Sequence, residues 1–431
     1  MKTALVLLPL FWPNMPPLNL ALLKAFLKKN GIQADVIDFN NYFYDLVSPS
    51  LKDEWKKSVN LSFENKLHGV LEKEYTMEFR SVLSRLMEYD VLGFACYKSN
   101  FKFTKEIISM LKAEKHSPKI IMGGPEITRQ FFRTGGILEE EFPGLADLFV
   151  AGEGELPLLK FLRGEYRSER TVSFLELPDL SNAPGPDYSD FDFDQYPGKG
   201  RVALLFSRGC VKKCTFCAEC LLYKKFKVYP LESVMDTIRV YKKKDIENFV
   251  FFDSLINGDL KALDALCEGI IRNFGSIPWE AQIAVRADMP EELFKKIKKS
   301  GCYHLFVGLE SGCDTVLRRM QKGFTSSDAL DFFKKLITYN LSFGVSMITG
   351  FPGETEEEFY QSLNFVLQHK DFIPKIEQVN PFVYYDGTIM PQEADYRMNP
   401  VALQRAAIFI EKIKEAGFKY TNAFLMNLVD K

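Results

Sequence analysis

The feature that most constrains this chain is a repeated alternation of short apolar runs with amphipathic segments. Thr3–Leu8 reads as a buried strand, and Leu18–Lys29 as a helix with Leu18, Leu22, Leu23, Phe26 and Leu27 at helical spacing. Strand candidates follow at Gln33–Phe39, Val91–Ala95, Lys119–Met122 and Asp147–Val150, with helices at Phe103–Glu114 and Leu156–Leu162. From Arg201 the rhythm resumes. Val202–Ser207, Phe249–Asp253, Trp279–Arg286, Leu305–Ser311, Gly344–Thr349 and Gln378–Tyr384 read as six strands with helical stretches between them. Strands that alternate with helices imply parallel sheets. The first series predicts an α/β, doubly wound Rossmann-type sheet. The second predicts a partial (β/α)6 barrel, whose site belongs at the C-terminal ends of the strands.

Two stretches break the pattern. Residues 41–88 are aromatic and charged, with Leu67, Val70 and Leu71 at helical spacing, and read as a helical insert without a legible role. Residues 164–200 are rich in Pro and Gly, which punctuate regular structure. The expected organisation is a first domain over 1–165, a linker over 166–199, a barrel over 200–395 and a helical tail over 396–431. In the tail, Leu403, Ala407, Ile410 and Ile413 mark a packing helix.

The charge balance narrows the partners. A formal net charge of −2 over 431 residues gives no electrostatic reason to expect nucleic acid. The apolar start of the chain lacks a small-x-small cleavage site and runs into Pro13, Pro16 and Pro17, so it reads as a strand and not a leader. No run approaches the roughly 20 apolar residues of a transmembrane helix. A cytoplasmic location is expected.

Four of the eight Cys crowd into one loop: Cys210, Cys214, Cys217 and Cys220. A secreted disulfide framework spreads its Cys through a shorter chain, so this crowding reads as metal binding in a reducing compartment. Three thiolates on one loop suit three irons of a cubane cluster, with the fourth iron open. The competing reading is a structural zinc held by all four Cys. Zinc ribbons draw paired Cys from two separate knuckles, and no second pair exists here.

The spacing Cys210, Cys214, Cys217, on the loop after the first barrel strand, resembles that of the radical S-adenosylmethionine superfamily. Phe216 matches the family's aromatic before the last Cys. Phe251–Asn257, Gly308–Gly323 (with its Glu310-Ser311 and Met320–Gly323 parts) and Gly350–Thr355 resemble family segments in the family's order. The resemblance covers about residues 200–390. It implies a 4Fe–4S cluster on Cys210, Cys214 and Cys217, with S-adenosylmethionine on the open iron, cleaved reductively to a 5′-deoxyadenosyl radical. By the same resemblance, Asp253 and Ser254 stand where the methionine amino group is contacted. Arg286 is suited to the methionine carboxylate, Glu310 and Ser311 to the ribose, and Ile348 to adenine. The alternative for Arg286 is a surface pair with Asp288 or Glu280, and for Glu310 a structural role. The family implies an electron donor such as flavodoxin or ferredoxin.

The first domain adds two loops, Gly123-Gly124-Pro125 and Gly152-Glu153-Gly154, at strand ends where open α/β sheets bind ligands. A flavodoxin-like domain placed before this barrel resembles the cobalamin-binding branch of the superfamily, which includes bacteriochlorophyll ring cyclase and cobalamin-dependent methylases. That resemblance implies cobalamin between the two loops, facing the cluster. None of His68, His116, His304 and His369 sits in an Asp-x-His-x-x-Gly context, so no imidazole ligand from that motif is expected. The leading expectation is methylation of an unactivated carbon in a small or lipid-like molecule. Radical cyclisation, rearrangement or oxidation is the enzymatic alternative, and an iron–sulfur or cobalamin carrier or sensor the non-enzymatic one. A methylthiotransferase would carry three further Cys in its first domain, where this chain has only Cys96.

Overall fold

The computed structural model describes residues 1–57, 61–166, 168–175, 179–219, 225–388, 390 and 399–421. The chain forms two compact units, Met1–Arg201 and Val202–Lys431.

The first unit holds six parallel strands: β1 (Thr3–Leu7), β2 (Asp35–Asp38), β3 (Val91–Ala95), β4 (Lys119–Gly123), β5 (Leu148–Gly152) and β6 (Thr171–Phe174). Their order is β2-β1-β3-β4-β5-β6, a doubly wound arrangement that switches direction between β1 and β3. Successive side chains of a strand point to opposite faces. Ala4 and Val6 therefore enter one apolar cluster, and Leu5 and Leu7 another. The second cluster is closed by Leu20 and Leu27 of the helix Leu18–Lys29 and by Leu158 and Leu159 of the helix Glu155–Leu162. The first contains the insert. Its helices Phe39–Leu46, Pro49–Lys57, Leu61–Glu74 and Thr76–Leu86 bring Phe43, Trp55, Phe63, Leu67, Leu71 and Leu86 onto that face. The insert thus builds core, and Trp55 is fixed further by donating Nε1–H to the Phe11 carbonyl at 3.0 Å.

The stretch expected as linker differs from expectation. It contributes β6, which pairs with β5 from Phe149↔Thr171 to Gly152↔Phe174. This edge strand is only partly buried, so it lacks the continuous apolar run by which central parallel strands are recognised.

The second unit carries β7 (Arg201–Leu204), β10 (Asn248–Phe251), β11 (Trp279–Ile283), β12 (Cys302–Glu310), β13 (Phe343–Thr349), β14 (Lys375–Pro381) and β15 (Lys419–Tyr420), each placed beside its predecessor. A separate antiparallel pair, β8 (Ser207–Arg208) and β9 (Lys227–Val228), flanks the cysteine loop. The stepwise order is that of a partial barrel. The tail departs from the purely helical expectation. After its helix Pro400–Glu415, it adds β15 alongside β14. Capping boxes at Thr325/Asp328 and Thr355/Glu358 start the helices Ser326–Thr338 and Glu356–Gln368. No helix among the described residues is long and apolar enough to cross a membrane.

Candidate functional site: the cysteine loop and the strand ends around it

The chain leaves β8 through Gly209, whose φ of 85° lies in the region open to glycine, and enters the loop bearing Cys210, Cys214 and Cys217. Cys214 is buried and the other two are half-buried. Cys220 lies outside the described residues. Burial pushes the Cys210 and Cys214 thiols up. Opposing this, the Lys212 amide donates to Cys210 Sγ at 3.4 Å, and the charges of Lys322 and Lys212 favour a thiolate at Cys214. Among the described residues no three His, Cys, Asp or Glu side chains converge as one metal ion requires. A cubane takes one thiolate on each of three irons, so its sulfurs need not meet at a point.

A second segment holds this loop in place. The Thr215 amide donates to the Met320 carbonyl at 3.1 Å, and Thr215 Oγ1 to the Arg319 carbonyl at 3.3 Å. The turn Arg319–Gly323 is thereby docked on the cysteine loop, and Lys322 is carried with it. Lys322 Nζ lies 3.3 Å from Glu310 Oε1. Burial works against its charge, but Glu310, Cys214 and Cys217 outweigh burial and hold the ammonium above its ordinary value. Glu310 sits at a register shift at the end of β12, with φ 70°. A side chain seldom adopts that conformation. Its other oxygen accepts from Ser346 Oγ of β13 at 2.9 Å. Gly308 makes room for this pair, because a Cβ there would stand 2.6 Å from Glu310 Oε1 and 3.3 Å from Lys322 Nζ.

The other expected contacts are placed as follows. Asp253 is fully buried at the end of β10, and its carboxylate accepts from the Phe206 amide at 3.1 Å and from the Ser207 amide and hydroxyl. It clamps the β7–β8 turn that launches the cysteine loop, and burial pushes its carboxyl up to about 6. Ser254 donates to Glu219. Arg286 grips Asp288 through Nε at 2.9 Å and Nη2 at 2.5 Å, and donates Nη1–H to the carbonyls of Asn257 and Gly258. Ser311 is fully buried against Ser362 Oγ and does not reach a surface. Ile348 is half-buried in an apolar cluster with Phe216, Val316, Met320, Phe351 and Phe382.

The site therefore gathers three thiols, Phe216, Glu310 and Lys322, with Lys212 close enough to feel the charges of both Arg286 and Lys322. Lys322, Lys212, Thr215 and Ser346 carried no role in the sequence reading. For Lys322 a signal existed, since a lone cation stands in the Met320–Gly323 segment. The cations Lys212 and Lys322 stand beside the carboxylates of Glu310 and Glu219 around these thiols.

In the first unit, the Gly123–Pro125 and Gly152–Gly154 loops lie at the ends of the paired strands β4 and β5. Gly124 (φ 102°) and Gly152 (φ 89°) need to be glycine for internal reasons. A Cβ at Gly124 would stand 2.8 Å from the Cys96 carbonyl oxygen, and one at Gly152 would collide with that of Phe174. Thr128 Oγ1, on the helix Pro125–Arg133 that follows the first loop, accepts the Gly152 amide of the second at 2.9 Å. Glu126 is held by Arg129 and Gln130. Neither His of this unit reaches that edge. His68 pairs with Glu106 at 2.6 Å, and His116 precedes β4 at its opposite end. Cys96 is fully buried.

Residues 204–366 match the model of the Radical SAM superfamily. An uncharacterized methyltransferase of Pyrococcus horikoshii is 24% identical over 321 residues, 68% of each chain. A putative methylthiotransferase of Methanocaldococcus jannaschii is 26% identical over 328 residues, 69% of this chain and 67% of its own. Among solved structures, the radical S-adenosylmethionine methyltransferase TsrM of Kitasatospora setae, with cobalamin and a [4Fe–4S] cluster bound, shares the fold over 90% of this chain and 77% of its own, at TM-score 0.69 and 16% identity. The cobalamin-dependent radical enzyme OxsB is covered over 96% of this chain at TM-score 0.65 and 17% identity, but this chain spans only 56% of that one.

Proposed function

With a radical SAM domain over residues 204–366, the chain belongs to the radical SAM superfamily and is a radical SAM enzyme, and we propose that it is a cobalamin-dependent methylase acting on an unactivated carbon of a small or lipid-like molecule. The family implies a 4Fe–4S cluster and S-adenosylmethionine. The observation that carries the finer reading is the joining, in one chain, of a doubly wound sheet with a three-cysteine partial barrel. That is the fold shared with the cobalamin-bound TsrM structure.

The residues present fit these groups. Cys210, Cys214 and Cys217 would hold the cluster, with the Lys212 amide supporting one sulfur and Lys322 supplying a cation. Glu310 offers a half-buried carboxylate to hydroxyl donors, and Ile348 with Phe216 an apolar wall for a planar base. Arg286, if it takes the methionine carboxylate, does so by exchanging Asp288, whose side chain is largely exposed. Asp253 and Ser254 act by fixing the loop through Ser207 and Glu219. Ser311 acts through Ser362. Gly123, Gly124 and Pro125 with Gly152, Glu153 and Gly154 would face cobalamin, held without an imidazole from this unit. Bound together, these groups supply one-electron reduction, S-adenosylmethionine cleavage and methyl carriage. The electron comes from a donor of the flavodoxin or ferredoxin kind, and the setting is cytoplasmic. With Cys96 as the lone, buried cysteine of the first unit, a second cluster there, and with it methylthio transfer, lacks ligands.

The test is anaerobic reconstitution with cobalamin followed by gel filtration and turnover. Retained cobalamin, with S-adenosylhomocysteine formed beside 5′-deoxyadenosine, supports the methylase. Turnover to 5′-deoxyadenosine alone, without retained cobalamin, replaces it by a cyclase, rearrangement or oxidation reading.

A further inference from the structure

Lys322 is a buried cation that the fold has taken trouble to install. Two hydrogen bonds from Thr215 seat its turn on the cysteine loop. Its ammonium lies 5.8 Å from the ring centre of Phe216, the residue before Cys217, and 5.7 Å from that of Phe324. Cys214 and Cys217 both act on it electrostatically. It pairs with the Glu310 carboxylate at 3.3 Å, and Gly308 is kept free of a side chain at the point where that pair meets.

Such a pair acts on whatever charge the thiols carry. A cubane held by three thiolates is anionic, and one added electron makes it more so. A fixed positive charge nearby stabilises the reduced form, and a fixed negative charge opposes it. Both effects are strengthened where water is excluded. Net charge around an iron–sulfur cluster is among the factors that set its potential.

We propose that Lys322 and Glu310 are an opposed pair of charges that sets the reduction potential of the cluster on Cys210, Cys214 and Cys217, Lys322 raising it and Glu310 lowering it. The step concerned is the entry of one electron from a low-potential donor, with no bond made or broken. The inference rests on the cluster reading above and adds a role for two residues that act on the cluster through space.

The test is a redox titration of the reconstituted protein without S-adenosylmethionine, followed by the electron paramagnetic resonance of the reduced cluster. Iron content is matched across samples. Lys322→Met is expected to lower the equilibrium constant for reduction at least tenfold, about 59 mV for one electron. Glu310→Gln is expected to move the potential the opposite way, and Lys322→Arg to restore it. Unchanged potentials, or shifts of the same sign in Lys322→Met and Glu310→Gln, overturn the proposal. If Lys322→Met fails to load cluster, the upward shift in Glu310→Gln still decides it. A wild-type protein that takes up no cluster would sink the cluster reading itself, which is a different result from a loaded protein with unshifted variants.

Discussion

Gly308→Ala places one methyl group where the Glu310–Lys322 pair meets. The added Cβ would lie 2.6 Å from Glu310 Oε1 and 3.3 Å from Lys322 Nζ. The first distance is about 1 Å short of ordinary contact. A free glutamate would swing away, but this one is held by Ser346 at 2.9 Å and by Lys322 at 3.3 Å, and both partners are buried. Forcing a group into a packed site costs about 1–3 kcal/mol. For a body of this size that is a fall in Tm of about 2–12 °C. The sign is informative, because a strand glycine with open space gains roughly 0.5–1 kcal/mol on becoming alanine. The assay is thermal unfolding of the metal-free protein by circular dichroism, read at the transition of the second unit. The control repeats the substitution in a background carrying Glu310→Ala and Lys322→Met together, where the methyl group has room. There it should cost less than about 0.5 kcal/mol. A single variant as stable as wild type, or an equal cost in both backgrounds, would show that the methyl group does not meet the Glu310–Lys322 pair.

Two further outcomes follow from buried carboxylates. Arg405→Met removes the cation that meets Glu354 at 2.9 Å, where the Glu354 side chain is 1% exposed, and should cost about 3–5 kcal/mol at pH 7. Because the orphaned carboxyl can take a proton instead, the deficit measured by urea unfolding should shrink at pH 5. Glu64, buried in the insert, accepts the Phe103 amide at 3.1 Å, and burial pushes its carboxyl up to about 7. A raised acid contributes fully below its unfolded value near 4.5 and loses that contribution as pH rises through about 7. Wild type should therefore lose about 3 kcal/mol more than Glu64→Gln between those limits; parallel pH profiles would count against it.

Much of this fold was legible because parallel strands covered on both faces are written as continuous apolar runs. Val91–Ala95 and Gly344–Thr349 are examples; the first is a strand with those bounds, and the second lies in a strand that begins one residue earlier, at Phe343. Among the strands that escaped, β6 is a half-exposed edge strand and β9 and β15 have two residues each, and none carries such a run. At the site, position along the strands was readable and burial was not. Asp253 and Ser311 stand at strand ends as expected, yet both are fully buried and bonded to the chain itself. Pairings across more than 100 residues, such as Thr215 with Arg319, leave no mark in local spacing. The Lys322–Glu310 pair spans only 12 residues, but a bulge at β12 and a docked turn bring it together, and neither is written in the spacing.

Three cysteines holding a cluster with one iron open to S-adenosylmethionine are what this chain's chemistry would depend on. The direct measurement is the electron paramagnetic resonance of the reduced, reconstituted protein before and after S-adenosylmethionine is added, in wild type and in Cys210→Ala, Cys214→Ala and Cys217→Ala. A 4Fe–4S signal that changes on addition is expected in wild type, with loss of that response in each variant. A wild-type signal indifferent to S-adenosylmethionine, or a response that survives loss of any of the three thiols, would contradict it.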